Sequence, residues 1–108
     1  AGGDPYRSYI SGTGTIDADG KVGAIGGIKY KILATGRYGA RYFLAPKENC
    51  DSIVKMQAQD PDLFNYYHAG QVRGTMVVVP VSTLDEAVKT VEAIKSGTPD
   101  DSLPRCGS

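Results

Sequence analysis

No stretch of this sequence approaches the roughly 20 consecutive apolar residues that a membrane-spanning helix needs. Nor does either charge dominate, because 12 lysines and arginines face 12 aspartates and glutamates. That balance gives no reason to expect nucleic acid or an anionic membrane surface as partner. The start, Ala1-Gly2-Gly3-Asp4-Pro5, has neither the basic opening nor the apolar centre of a signal peptide. It also lacks an initiator methionine, so it says little about any longer parent. Histidine occurs once, as His68, and cysteine twice, as Cys50 and Cys106. Without closely spaced cysteines, and with one histidine, no zinc site is expected. The two cysteines leave two readings open. They are free thiols of a reduced compartment, or one disulfide closing a long loop.

Glycine is plentiful, and most of the 14 glycines fall before residue 40, where turns must be tight. A length of 108 residues suits one compact domain or part of a larger one. Residues 1–8 read as a lead-in and residues 98–108 as a polar tail. Residues 9–16 alternate enough for a strand, Asp17-Ala18-Asp19-Gly20 signals a turn, and residues 21–25 return as a second strand. Gly26-Gly27 breaks that strand, and a short helix carrying Ile28, Ile32 and Leu33 follows, ending near Gly39. Residues 42–45 form a buried strand stopped by Pro46. Asn49 or Asp51 can cap the next helix, which carries Ile53, Val54 and Met56. Residues 61–74 read as a loop. Residues 76–81 are continuously apolar, as in a strand covered on both faces. Thr83 and Glu86 make a capping box for a last helix burying Leu84, Ala87, Val88, Val91 and Ile94 and stopping at Gly97. The expected fold class is α/β (α+β), a β-hairpin followed by helix–strand–helix–strand–helix.

Few residues suggest chemistry. Gly12-Thr13-Gly14-Thr15 lacks the Gly-Lys-Ser/Thr ending of a phosphate loop. Asp17-Ala18-Asp19-Gly20 has its glycine too early for a calcium loop and no closing glutamate. His68 has no serine or cysteine arranged around it and reads as a surface residue. Lys31 stands out. It lies in the first turn of a helix, where the positive dipole end disfavours an ammonium, beside Ile28 and Ile32. A lysine so placed can act as a base near neutral pH. The same argument applies to Lys29 and does not separate the two.

The run from Gly12 to Lys31, with its Thr13-Gly14 strand, its turn at Gly20 and its Val22-Gly23-Ala24-Ile25-Gly26-Gly27-Ile28-Lys29-Tyr30-Lys31, resembles the catalytic-lysine region of Lon-type serine–lysine proteases. Downstream, Tyr42-Phe43-Leu44-Ala45-Pro46-Lys47-Glu48-Asn49 is similar to that family's strand and Pro-x-x-Asn turn. The likeness covers residues 10–95. It implies that the chain is the C-terminal half of the Lon proteolytic domain fold, a partial domain spanning residues 1–108. It further implies that Lys31 is the catalytic lysine and that Thr13 supports it with its hydroxyl. Ala24 stands where the family often has proline.

Within that family, the Gly12–Gly23 wording, Asn49-Cys50 and Leu103-Pro104-Arg105-Cys106 look most like a branch with a membrane anchor and a PDZ domain but no ATPase. That branch implies a Cys50–Cys106 disulfide and a protease domain working outside the cytoplasm, tethered to the cell membrane. A cytoplasmic location is the alternative. The family's nucleophile lies in a Gly-Pro-Ser-Ala-Gly-like segment upstream of the Thr-Gly strand. None of Ser8, Ser11, Ser52, Ser82, Ser96, Ser102 and Ser108 has that context. The expected role is therefore to supply the lysine of a serine endopeptidase whose serine lies in the N-terminal part of the same domain. The expected partner is a polypeptide substrate, without cofactor or nucleic acid, and a homo-oligomer is left open. By itself the 108-residue chain is expected to be inactive. The alternative is a non-catalytic Lon-like α/β module for protein interaction.

Overall fold

The structure is a computed structural model that describes residues 9–107. The lead-in expected over residues 1–8 lies outside the described residues. Along the chain, strand β1 (Ile10–Gly12) leads into a small hairpin of β2 (Thr15–Ile16) and β3 (Val22–Gly23). Helix α1 (Ile28–Arg37), strand β4 (Tyr42–Pro46) and helix α2 (Cys50–Gln59) follow. A second hairpin, β5 (Asn65–His68) and β6 (Gln71–Thr75), precedes strand β7 (Val77–Val81) and helix α3 (Leu84–Lys95). Short 3₁₀ turns occur at Lys47–Asn49, Pro61–Phe64 and Asp100–Ser102. The mixed α/β architecture is the one expected from the sequence, with three helices.

The scaffold is a parallel sheet in the order β1-β4-β7. Because side chains alternate across a strand, each face carries its own core. Phe43, Ala45 and Val78 face Ile28 and Ile32 of α1 and Ile53 of α2. Tyr42, Leu44, Val77, Val79 and Val81 face Ala87, Val91, Ala93 and Ile94 of α3, together with Leu103. The continuous apolar run in β7 thus serves two covered faces. Fully burying a side chain such as Ile32 or Phe43 contributes about 1.5–3 kcal/mol each. Helix α1 lies so close to β5 that a Cβ at Gly36 would collide with the carbonyl oxygen of Asn65. Only glycine fits at that crossing.

Three expectations are corrected. Residues 61–74 are not a loop: a 3₁₀ turn and most of an antiparallel hairpin occupy them. Its two-residue turn places both Ala69 (φ 52°) and Gly70 (φ 76°) in the left-handed region, as a type I′ turn demands. Leu84 and Val88 do not face the core, since each is 48% exposed. The tail is not merely polar, because Leu103 is buried against Tyr42, Val77 and Val79.

The tail is held at several points. Asp100 accepts from Arg41 at 2.9 Å and from the Tyr42 hydroxyl at 2.7 Å. Arg105 donates to the Asp100 carbonyl at 3.2 Å. Beyond Leu103, Cys106 packs against the core of the opposite face and is bonded to Cys50, with Cα atoms 5.1 Å apart. The tail thereby passes from the α3 layer to the α1–α2 layer.

Candidate functional site

In a parallel sheet, the connecting helix returns the chain from the carboxyl end of one strand to the amino end of the next. Helix α1 makes that return between β1 and β4, by way of the β2–β3 hairpin. Its C-terminal end therefore delivers the chain to the start of β4, where the Arg41 amide donates to the Tyr9 carbonyl at 3.2 Å. Its N-terminus lies at the carboxyl ends of β1 and β4. Open α/β sheets commonly build their sites at that end.

Both residues singled out from the sequence sit there. Thr13 follows β1 directly, is half-buried, and donates its amide to the Leu44 carbonyl at 3.1 Å. Lys31 is in the first turn of α1, its amide donating to the Gly27 carbonyl at 3.2 Å, and its side chain is exposed. Among the described residues no side-chain hydrogen bond joins Thr13 to Lys31. Lys29 is exposed as well, so burial does not separate the two lysines. Ser11 lies inside β1 in register with Phe43.

The local physics of the α1 start is unusual. Its N-cap is Gly27, left-handed at φ 68°, where a Cβ would be strained. No side chain caps the helix, and its first turn holds no carboxylate. The partial positive charge of the helix end is therefore not offset by an acidic neighbour in its own first turn.

What holds this loop is Asn49, one of the two residues that the sequence offers as the α2 cap. Of Asn49 and Asp51, the two candidates for the α2 cap, Asn49 takes the N-cap position, but it makes no side-chain cap. Its buried amide instead reaches back 24 residues to Ile25. Oδ1 accepts from the Ile25 amide at 3.2 Å, and Nδ2 donates to the Ile25 carbonyl at 3.1 Å. The fold forgoes a cap worth about 1 kcal/mol and satisfies a distant loop. The Pro-Lys-Glu-Asn turn was the available signal; its partner was not legible.

The tail junction is the other polar cluster. Burial alone would raise the Asp100 carboxyl, but the Tyr42 hydroxyl and the Arg41 guanidinium, helped by Arg105, bring it below its usual value. The Asp100 hydrogen bond correspondingly raises Arg41. A groove of about 260 Å³ runs along the α3 side of the sheet, lined by Thr13, Ile16, Leu44, Val81, Leu84 and Ala87. It lies across the sheet from the α1 core. Among the described residues, no cluster of acidic, histidine or cysteine side chains could hold a metal ion, and no helix is long and apolar enough to cross a membrane.

Residues 1–93 match the family model described as the Lon protease (S16) C-terminal proteolytic domain. The chain is similar to Lon protease of Chloroflexus aggregans, 36% identical over 87 residues, which are 81% of this chain and 9% of that protein. Lon protease of Brucella abortus (strain 9-941) is 37% identical over 87 residues, with the same coverage. Lon protease of Haemophilus influenzae is 36% identical over 86 residues, 80% of this chain and 9% of that protein. The chain spans about 9% of the length of the curated relatives it matches.

Proposed function

The chain belongs to the Lon protease C-terminal proteolytic domain family, and from that membership we propose that it is the lysine-bearing part of a serine endopeptidase working through a Ser–Lys dyad. The observation that carries the reading is the joint position of two motif residues. Thr13 at the end of β1 and Lys31 in the first turn of α1 share the carboxyl end of the parallel sheet.

The serine comes from a segment N-terminal to residue 1 in the longer protein. The neutral amine of Lys31 takes the hydroxyl proton of that serine as its oxygen attacks the scissile carbonyl. The proton then passes to the leaving amine, and water releases the acyl group by the reverse steps. The Thr13 hydroxyl orients the amine. Backbone amides of the serine segment stabilise the oxyanion. The substrate is a polypeptide. The 108-residue chain without that segment is inactive. A membrane-anchored, PDZ-containing parent without an ATPase, working outside the cytoplasm, suits the Asn49-Cys50 and Leu103-Pro104-Arg105-Cys106 wording. The Cys50–Cys106 bond supports an oxidising compartment.

The test is Lys31→Ala in the full-length protein. It should lower peptide hydrolysis by about 10²–10⁴-fold or more with the fold intact, whereas Lys29→Ala should be mild. Wild-type turnover by the Lys31 variant would leave the non-catalytic module as the better reading.

A further inference from the structure

We infer that Asn49 is a positioning residue for Lys31, holding the loop from which the lysine's helix starts. The inference rests on the Ser–Lys reading. Apart from tyrosines, Asn49 is the one polar residue buried among the described residues, and both ends of its amide are used on a single residue, Ile25. One hydrogen bond would let the Ile25 backbone pivot about it. Two, one to the amide and one to the carbonyl, set its orientation as well as its place.

Between Ile25 and the helix lie only Gly26 and Gly27. A Cβ on either would meet nothing within 4 Å, so no neighbour braces these two residues from the side. Helix α1 has no side-chain cap of its own. The apolar contacts of Ile25 and Ile28 press this segment onto the core but are not directional. The Asn49 amide is thus the directional hold on the loop, and Lys31 follows six residues after Ile25. The anchor is itself firm: Asn49 closes the turn after β4, the central strand, and Cys50 beside it is covalently tied to Cys106. A base displaced by about 1 Å from its nucleophile can lose on the order of 10²-fold in rate. The amide's use on Ile25 in place of the α2 cap is what a positioning role requires.

The experiment uses the full-length protein, with Asn49→Ala, Asn49→Asp, Lys31→Ala and, as a stability control, Thr83→Ala at the α3 cap, whose side chain bonds within its own helix. Asn49→Ala should lower kcat by about 10–100-fold with KM within about twofold. It should also displace the acid limb of the kcat–pH profile, because the setting of the base has changed. Asn49→Asp keeps an acceptor for the Ile25 amide but sets a carboxylate oxygen against the Ile25 carbonyl, so its kcat should fall at least as far as that of Asn49→Ala. Should Asn49→Ala not fold, Asn49→Asp is read in its place, with the same lowered kcat and displaced limb expected. Thr83→Ala should lose stability while keeping wild-type kcat and pH profile. Wild-type kcat in the Asn49 variants would overturn the inference. So would a loss of kcat that Thr83→Ala matches with no change of pH profile. If Lys31→Ala is inactive while the Asn49 variants behave as wild type, the clamp alone fails. Full activity in Lys31→Ala removes the dyad reading and the clamp with it.

Discussion

Helices α1 and α3 cover opposite faces of one sheet and are held by opposite means. Helix α3 follows the local rules. The Thr83 side chain accepts from the Glu86 amide at 3.0 Å, Asp85 and Glu86 lie in its first turn, Lys95 lies in its last, and Gly97 (φ 88°) ends it. Yet none of its residues is fully buried. Helix α1 breaks those rules at its start, with a glycine N-cap, no side-chain cap and no first-turn carboxylate. It is held instead by Ile28, Ile32 and the tight seat at Gly36. A helix secured by its core can leave its first turn unsatisfied, and that turn carries the candidate base. Local order lies with α3, and the candidate base lies with α1.

The comparison breaks if the core of α1 is not what secures it. Ile32→Ala removes a fully buried side chain beside Phe43 and Ile53, and should cost about 2–5 kcal/mol in urea unfolding of the domain. A cost near that of an exposed site would mean α1 is held some other way. Thr83→Ala removes the N-cap side chain of α3 and should cost about 1 kcal/mol, read as a lowered Tm.

The tail beyond α3 adds a pH-dependent share. The Asp100 carboxyl has a lowered pKa in the fold, so its stabilisation is complete above its unfolded value near pH 4, roughly, and fades as pH falls through the folded value. Arg41 is shifted upward, so its share is full at every lower pH and disappears only in strong alkali. Asp100→Asn should cost under about 1 kcal/mol at pH 7 and flatten the acid limb of the stability profile. An unchanged acid limb would show that the Arg41–Asp100–Tyr42 junction contributes nothing there. Smallest of all, Val88→Ala should change stability by less than about 0.5 kcal/mol, because Val88 faces outward. A larger loss would mean that α3 buries the apolar stripe its sequence advertises.

That stripe shows where the sequence was legible and where it was not. The start of α3 could be read from Thr83 and Glu86 because a capping box is a contact between near neighbours. The face it buries was legible only in part: Ala87, Val91 and Ile94 meet the sheet, while Leu84 and Val88 mark the outer edge of a stripe that does not say which side of it is covered. The β5–β6 hairpin was missed because its turn is Ala69-Gly70 and not the Asn-Gly that usually announces one, and Ala69 takes a left-handed conformation that alanine rarely adopts. Thr13 and Lys31 were read from motif wording. The tie from Asn49 to Ile25 was not legible because the two lie 24 residues apart, and no local pattern reports a contact that the fold alone creates.

The Cys50–Cys106 bond makes a closed covalent ring of everything between, including α2, the second hairpin, β7 and α3. A single cut within the ring, such as at the exposed hairpin tip beside Ala69, opens it without releasing a piece. A nicked chain would migrate whole on a non-reducing gel and separate into two on reduction. A protease would have to cut this region twice to carry any of it away.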